Sequence, residues 1–194
     1  MIGFGFGFGF NTLSTLLNQA FTLYADTSVN KAVYLKIAGV NGADACVIDW
    51  GDGSSTDAVT MDGTQKTINH VYSDVTIYTI TITYPENILG VEFPAATVNK
   101  IYPANNDIAE FNKCVNLENF LIYPVWVGSI NGFNKNIKEI SIYGITVITG
   151  DITPFTALVT FVTISSISGV VSAPNIKTLF FLGGAQTCTI DITG

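Results

Sequence analysis

The sequence predicts an all-β chain, and three observations carry that expectation. The apolar residues are mostly Ile, Val and Phe interleaved with Thr, and Gly and Asn are plentiful, which is the composition of strands and turns. Short segments alternate apolar and polar residues, as Val33, Leu35 and Ile37 do with Tyr34 and Lys36. From about Val98 onward, short apolar segments recur at a spacing near 20 residues.

A length of 194 residues suits one or two small domains, and 48% hydrophobic against 12% charged residues supplies a core. All eight basic residues are lysine and the net charge is -7. The arginine forks and positive field that nucleic acid demands are missing, so nucleic acid is excluded as a partner. Cys46, Cys114 and Cys188 are odd in number and far apart, matching no disulfide framework and no metal-ligand spacing. They read as buried free thiols of a protein folded in a reducing cytoplasm. No Lys or Arg precedes Lys31, so the apolar start lacks the positive region of a secretory signal. No stretch reaches the roughly 18–20 apolar residues of a membrane span.

The chain opens on Met1-Ile2-Gly3-Phe4-Gly5-Phe6-Gly7-Phe8-Gly9-Phe10. In extended form Phe4, Phe6, Phe8 and Phe10 fall on one side and bare backbone on the other. Burying one such ring on a partner stabilises by roughly 1.5–3 kcal/mol. The stretch therefore reads as an anchor, docked in a larger assembly or against sister copies, with strand addition to a sheet edge as the favoured mode. Asn11 to Tyr24 carries Leu13, Leu16, Leu17, Ala20, Phe21 and Tyr24 at helical spacing behind Asn11 as N-cap, although Phe21 and Leu23 equally begin a strand. Ala32 to Ile37 is a strand open to solvent on one face, and the Asn41-Gly42 turn leads to another, Cys46-Val47-Ile48-Asp49-Trp50.

Ile48-Asp49-Trp50-Gly51-Asp52-Gly53-Ser54, then His70-Val71-Tyr72, then Tyr78-Thr79-Ile80-Thr81-Ile82 form an ordered set. It resembles the polycystic-kidney-disease (PKD) type of immunoglobulin-like sandwich over about residues 20–84. Thr76 stands where a glycine often precedes the tyrosine. The resemblance implies that Asp49, Trp50, Gly51, Asp52, Gly53, His70, Tyr72 and Tyr78 define the fold, with Trp50 plugging the space between sheets. Gly51 and Gly53 supply the positive φ of a tight turn.

Beyond it, Val98-Asn99-Lys100-Ile101, Leu117-Glu118-Asn119-Phe120, Ile137-Lys138-Glu139-Ile140, Leu158-Val159-Thr160-Phe161 and Ile176-Lys177-Thr178-Leu179 align at steps of 19, 20, 21 and 18 residues. Val127-Gly128-Ser129-Ile130, Thr149-Gly150-Asp151-Ile152 and Ser168-Gly169-Val170-Val171 add a second apolar-flanked glycine. This resembles irregular leucine-rich repeats and implies a short β-solenoid; a second sandwich is the competing fold. The expected organisation is an anchoring peptide and linker over 1–20, a PKD-like sandwich over 21–90, and a leucine-rich-like solenoid over 91–194 that ends without a polar cap.

No catalytic constellation, cofactor motif or side-chain metal site stands out. His70 is the single histidine, and its motif gives it a structural hydrogen bond. Asp49, Asp52, Asp57 and Asp62 cluster near the glycine turn, where calcium would find hard oxygen ligands but where Asp is also common for turn bonding. Glu110, Glu118, Glu139 and Asp151 single out no pair for glycoside hydrolysis, and Glu118 and Glu139 read as matching repeat positions on a solvated rim. Tyr102, Tyr123, Tyr143 and Trp126 recur near strand ends, as ordinary core or as an aromatic stripe.

The expectation is a non-enzymatic structural or display protein of a large assembly, above all a bacteriophage virion assembled in the host cytoplasm, as capsid decoration, head fibre or tail component. Its partners are virion proteins or sister copies through residues 1–10, and a host-surface glycan or protein. It would be a homo-oligomer or part of a multi-chain assembly. The alternative is a bacterial cell-surface adhesion module binding glycan or protein; a glycan depolymerase has the least support.

Overall fold

The computed structural model describes residues 20–93, 100–123, 126–143, 147–163, 168–172, 176–181 and 187–191, and it is mainly β. The anchor residues Phe4, Phe6, Phe8 and Phe10 and the helical spacing of Leu13, Leu16 and Leu17 lie outside the described residues. The strands in chain order are β1 (Phe21–Asp26), β2 (Ala32–Gly39), β3 (Cys46–Asp49), β4 (Asp57–Val59), β5 (Gln65–Val71), β6 (Ile77–Ile82), β7 (Ile88–Phe93) and β8 (Ile101–Pro103). They continue as β9 (Asn119–Ile122), β10 (Val127–Ser129), β11 (Glu139–Ile142), β12 (Val147–Thr149), β13 (Thr160–Thr163), β14 (Ser168–Ser172), β15 (Thr178–Phe181) and β16 (Thr187–Asp191).

One sheet runs β4-β3-β6-β1-β8 with every pairing antiparallel. The segment open to helix or strand is strand from Phe21, because Phe21, Leu23 and Ala25 alternate into the core between β6 and β8. The other sheet runs β15-β13-β11-β9-β7-β2-β5 and changes character at β7. On one side β7 pairs antiparallel with β2, and on the other it starts a parallel ladder through β9, β11, β13 and β15. The boundary drawn at residue 90 from the sequence falls inside β7, and one buried cluster runs from Phe21 to Phe161. Phe111 links its parts, with ring centroids 4.8 Å from Phe21, 5.6 Å from Phe93, 5.0 Å from Phe120 and 5.6 Å from Trp126.

The ladder keeps the register of the aligned units: Phe120, Ile140, Phe161 and Leu179 stand side by side, with Val91 of β7 before them. The first aligned unit departs from this. Val98 lies outside the described residues, and Ile101 joins the other sheet opposite Ala25. Asp26 N donates to Lys100 O at 2.9 Å, and the Asp26–Lys100 ion pair and the stacked Tyr24 and Tyr102 rings fix it there.

At three corresponding places the chain turns between strands by the same device. Asp107 Oδ1 accepts from Ala109 N at 2.9 Å, Ser129 Oγ from Asn131 N at 3.2 Å, and Asp151 Oδ1 from Thr153 N at 2.9 Å. Each cap is followed by a buried Ile (108, 130, 152), a buried Phe (111, 133, 155) and a buried Leu or Ile (117, 137, 158), which stack in layers. The residue before each cap has positive φ: Asn106 at 56°, Gly128 at 124° and Gly150 at 137°. A Cβ on Gly128 would lie 2.2 Å from Asp107 Oδ1, which accounts for the second glycine of the repeats. At the β15 end, Ile176 and Leu179 are only partly buried, whereas Leu158 and Phe161 one unit earlier are fully covered.

Candidate functional site

The residues that define the glycine turn converge on one cluster. Trp50 follows β3 and is buried to 1% exposure; its Nε1 donates to Asp57 Oδ2 at 2.7 Å, which brings the start of β4 against it. His70 on β5 stacks on the Trp50 ring with centroids 4.7 Å apart, and its Nε2 lies 2.8 Å from Asp52 Oδ2. Tyr72 donates its hydroxyl to Trp50 O at 3.1 Å and stacks on Tyr78 at 4.1 Å. Burial pushes the Tyr72 phenol up, with the charges of Asp52, Tyr78 and Asp49 adding to it. The turn closes through Asp49 Oδ1, which accepts from Gly51 N at 2.9 Å, and Asp52 Oδ1, which accepts from Ser54 N at 3.0 Å. Gly51 has φ 74°, and a Cβ there would sit 2.1 Å from Thr79 O of β6, so turn and sheet touch backbone to backbone. Gly53, φ 78°, is at the open tip.

The four aspartates near this turn go to separate partners. Asp49 closes the turn, Asp52 holds His70, Asp57 holds Trp50, and Asp62 accepts from Thr64 and Lys66. Among the described residues no group of three or more His, Cys, Asp or Glu side chains is placed to hold a metal ion. Hydrogen bonds from Ser54 hold the Asp52 carboxyl down at about 2, with His70 contributing less. Cys46 and Cys114 are buried free thiols; burial pushes Cys46 up to about 12 and raises Cys114 as well. The side chain of Cys188, in β16, lies outside the described set.

The acidic rim divides differently from the sequence reading. Glu118 pairs with Lys138, Nζ to Oε2 at 2.7 Å, so Lys138 rather than Glu139 is its counterpart one unit on. Glu139 stands opposite Asn119 and accepts from Ser141 Oγ at 2.9 Å. Of the recurring aromatics, Tyr123 and Tyr143 stack at 4.9 Å on the exposed end of the ladder, while Trp126 is buried at 1% exposure. Tyr102 belongs elsewhere: it faces Tyr24 across β1 and β8 with centroids 5.8 Å apart and planes at 29°.

The surface among the described residues carries hollows at both ends of the first sheet's strand order. One of about 500 Å³ lies between β4 and β5, the free edges of the two sheets, and is lined by Asp57, Val59, Asp62, Lys66, Ile68 and Asn69 among others. The other, about 390 Å³, lies on the outer face of the first sheet and is lined by Tyr24, Ile77, Tyr102, Ala104 and Asn105. Sequence reasoning missed this second grouping. Its only signal was the outward position of Tyr24 in a period-2 strand; nothing in the spacing tied Tyr102 to it.

Comparison with known proteins returns no matching family model, no matching curated protein and no matching solved structure.

Proposed function

We propose that the chain is a non-enzymatic structural or display protein of a large assembly, a bacteriophage virion in the first instance, attached by residues 1–10. It presents a PKD-like sandwich and a short leucine-rich-like solenoid outward. The observation that carries this reading is the Gly-Phe run of the sequence, whose alternation would set Phe4, Phe6, Phe8 and Phe10 on one face of an extended segment docked on a partner. Four rings at roughly 1.5–3 kcal/mol each provide ample binding free energy for a docked strand, and the intervening glycines let its backbone approach a sheet edge.

The body supports the reading in two ways. The sandwich interpretation rests on the ordered Trp50, His70, Tyr72 and Tyr78 cluster between two antiparallel strand groups. The solenoid interpretation rests on the in-register parallel ladder and its stacked Ile, Phe and Leu layers. A scaffold whose turn polar groups are bonded to one another suits presentation of surfaces.

The test is incorporation. Tagged full-length chain and a variant lacking residues 2–10 are expressed in the producing culture, and particles are separated from the cell envelope by density. The full chain is expected with particles, and the variant folded but free in solution. Equal incorporation of both ends the reading, and recovery of both with the envelope transfers it to a cell-surface adhesion module.

A further inference from the structure

The outer face of the first sheet carries a small site that the assembly reading does not use. Thr22, Tyr24 and Asp26 of β1 point away from the core, because Phe21, Leu23 and Ala25 point into it. The antiparallel register sets Tyr102 of β8 directly beside Tyr24, and Ile77 of β6 opposite Asp26. The two rings stack at a tilt, with centroids 5.8 Å apart and planes at 29°, and line the hollow together. Ile77 is 56% exposed beside them. Ala104 and Asn105 complete the lining of an open hollow of about 390 Å³, within the range of about 300–1,000 Å³ typical of small-ligand sites.

Three features set the chemistry of what fits. Among the described residues, neither phenol hydroxyl nor the Asn105 side-chain amide has a hydrogen-bond partner, so these surface groups can exchange water for a ligand's hydroxyls. No charged residue among those described lines the hollow, and Asp26 and Lys100 on the flanking strand positions are paired with each other. Asn105 and Asn106 hold consecutive left-handed conformations, φ 55° and 56°, and Asn105 belongs to the lining. A neutral ring with one apolar face and a rim of hydroxyls answers all three.

We propose that the hollow floored by Tyr24, Ile77 and Tyr102 and rimmed by Asn105 is a carbohydrate subsite for a neutral pyranose. The pyranose C–H face lies on the tyrosine rings, and its hydroxyls bond the phenols and the Asn105 amide. The site gives the display reading a ligand class and rests on that reading only for the origin of the glycan, on a host surface. An extended proline-rich peptide also stacks on tyrosines, but it requires a groove several residues long, and the lining here closes around five residues.

The test uses the full chain in solution, so it succeeds or fails whatever becomes of the particle experiment. Backbone amide shifts are followed while methyl glucoside, methyl galactoside, methyl N-acetylglucosaminide, their trisaccharides and a proline-rich decapeptide are titrated in turn. At least one sugar is expected to shift Tyr24, Ile77, Tyr102 and Asn105 saturably. Tyr102→Leu and Asn105→Gly are each expected to weaken that sugar roughly tenfold or more. Asn105→Gly fits the left-handed backbone, so its loss of binding reports the amide and not misfolding. The proposal is overturned by no response to any sugar, by shifts centred on Tyr123 and Tyr143, by a response to the peptide alone, or by sugar binding that survives in either variant.

Discussion

Trp50 and His70 stack with planes 9° from parallel and centroids 4.7 Å apart, joining the end of β3 to β5 of the opposite sheet. Asp52 bonds the same imidazole from the glycine turn, and Tyr72 meets it edge-on at 4.5 Å. The turn is thus tied to both sheets by side chains from four positions, and its geometry depends on carboxylates remaining ionised.

The first prediction follows from that dependence. Ser54 and then His70 hold Asp52 down at about 2, and Lys100 and then Ser28 hold Asp26 down at about 2. An unfolded aspartate titrates near about 3.9, so below that pH the unfolded chain binds protons that the folded one still refuses. Stability is therefore present in full above about pH 4 and lost as pH falls toward 2. Urea midpoints measured across this range should fall for the natural chain and fall less steeply for Asp52→Asn. Equal slopes would remove Asp52 from the account.

Gly51→Ala should be much more damaging than Gly53→Ala. Both positions have positive φ, but an added Cβ at Gly51 meets Thr79 O at 2.1 Å and at Gly53 meets nothing within 4 Å. Left-handed strain alone costs about 1–2 kcal/mol, and displacing β6 backbone should bring the Gly51 loss to about 3 kcal/mol or more. Equilibrium urea unfolding of the two variants reads the difference directly.

Phe111→Ala should cost about 3–5 kcal/mol, as large core truncations do, and the loss should register in both parts of the chain. The two tryptophans are built-in probes, Trp50 among the antiparallel strands and Trp126 among the ladder layers. Within each of the Trp50→Phe and Trp126→Phe variants, the fluorescence of the remaining tryptophan and far-UV circular dichroism should report one midpoint, with or without Phe111. Separated midpoints would mean that the shared core does not couple the two parts.

Asn106 occupies the corner that Gly128 and Gly150 fill in the next two units. Asn106→Gly relieves left-handed strain of about 1–2 kcal/mol but adds about 0.4–1 kcal/mol of unfolded-chain entropy, a net gain of about 0–1.6 kcal/mol. Asn106→Ala should instead destabilise. Thermal melts of the two variants should therefore move in opposite directions.

Much of this was legible because local chemistry and tertiary placement agree. Trp50, His70, Tyr72 and Tyr78 sit in short motifs whose spacing survives folding, and the structure gathers all four. Phe120, Ile140 and Phe161 were found by counting because a parallel ladder repeats with the chain. β7 was not found, because the register shift at Ala38 and Gly39 breaks its alternation and leaves Gly90 and Val91 both buried. Ile101 was misassigned because its sequence matches a repeat unit while its partner, Ala25, is remote in sequence. The Tyr24 and Tyr102 hollow was illegible for the same reason.

β7 accepts an antiparallel neighbour on one flank and a parallel neighbour on the other. β8 pairs with β1 and Phe111 packs on Phe21, so the antiparallel part is completed by segments before β9, and the later rungs repeat beyond it. An ancestor or a designer could therefore insert or delete a rung of about 20 residues, moving the far tip by one strand width of roughly 4.8 Å, without disturbing the tyrosine hollow or the tryptophan turn. The molecule is graduated like a measuring rod, with reach adjustable in uniform increments from a constant base.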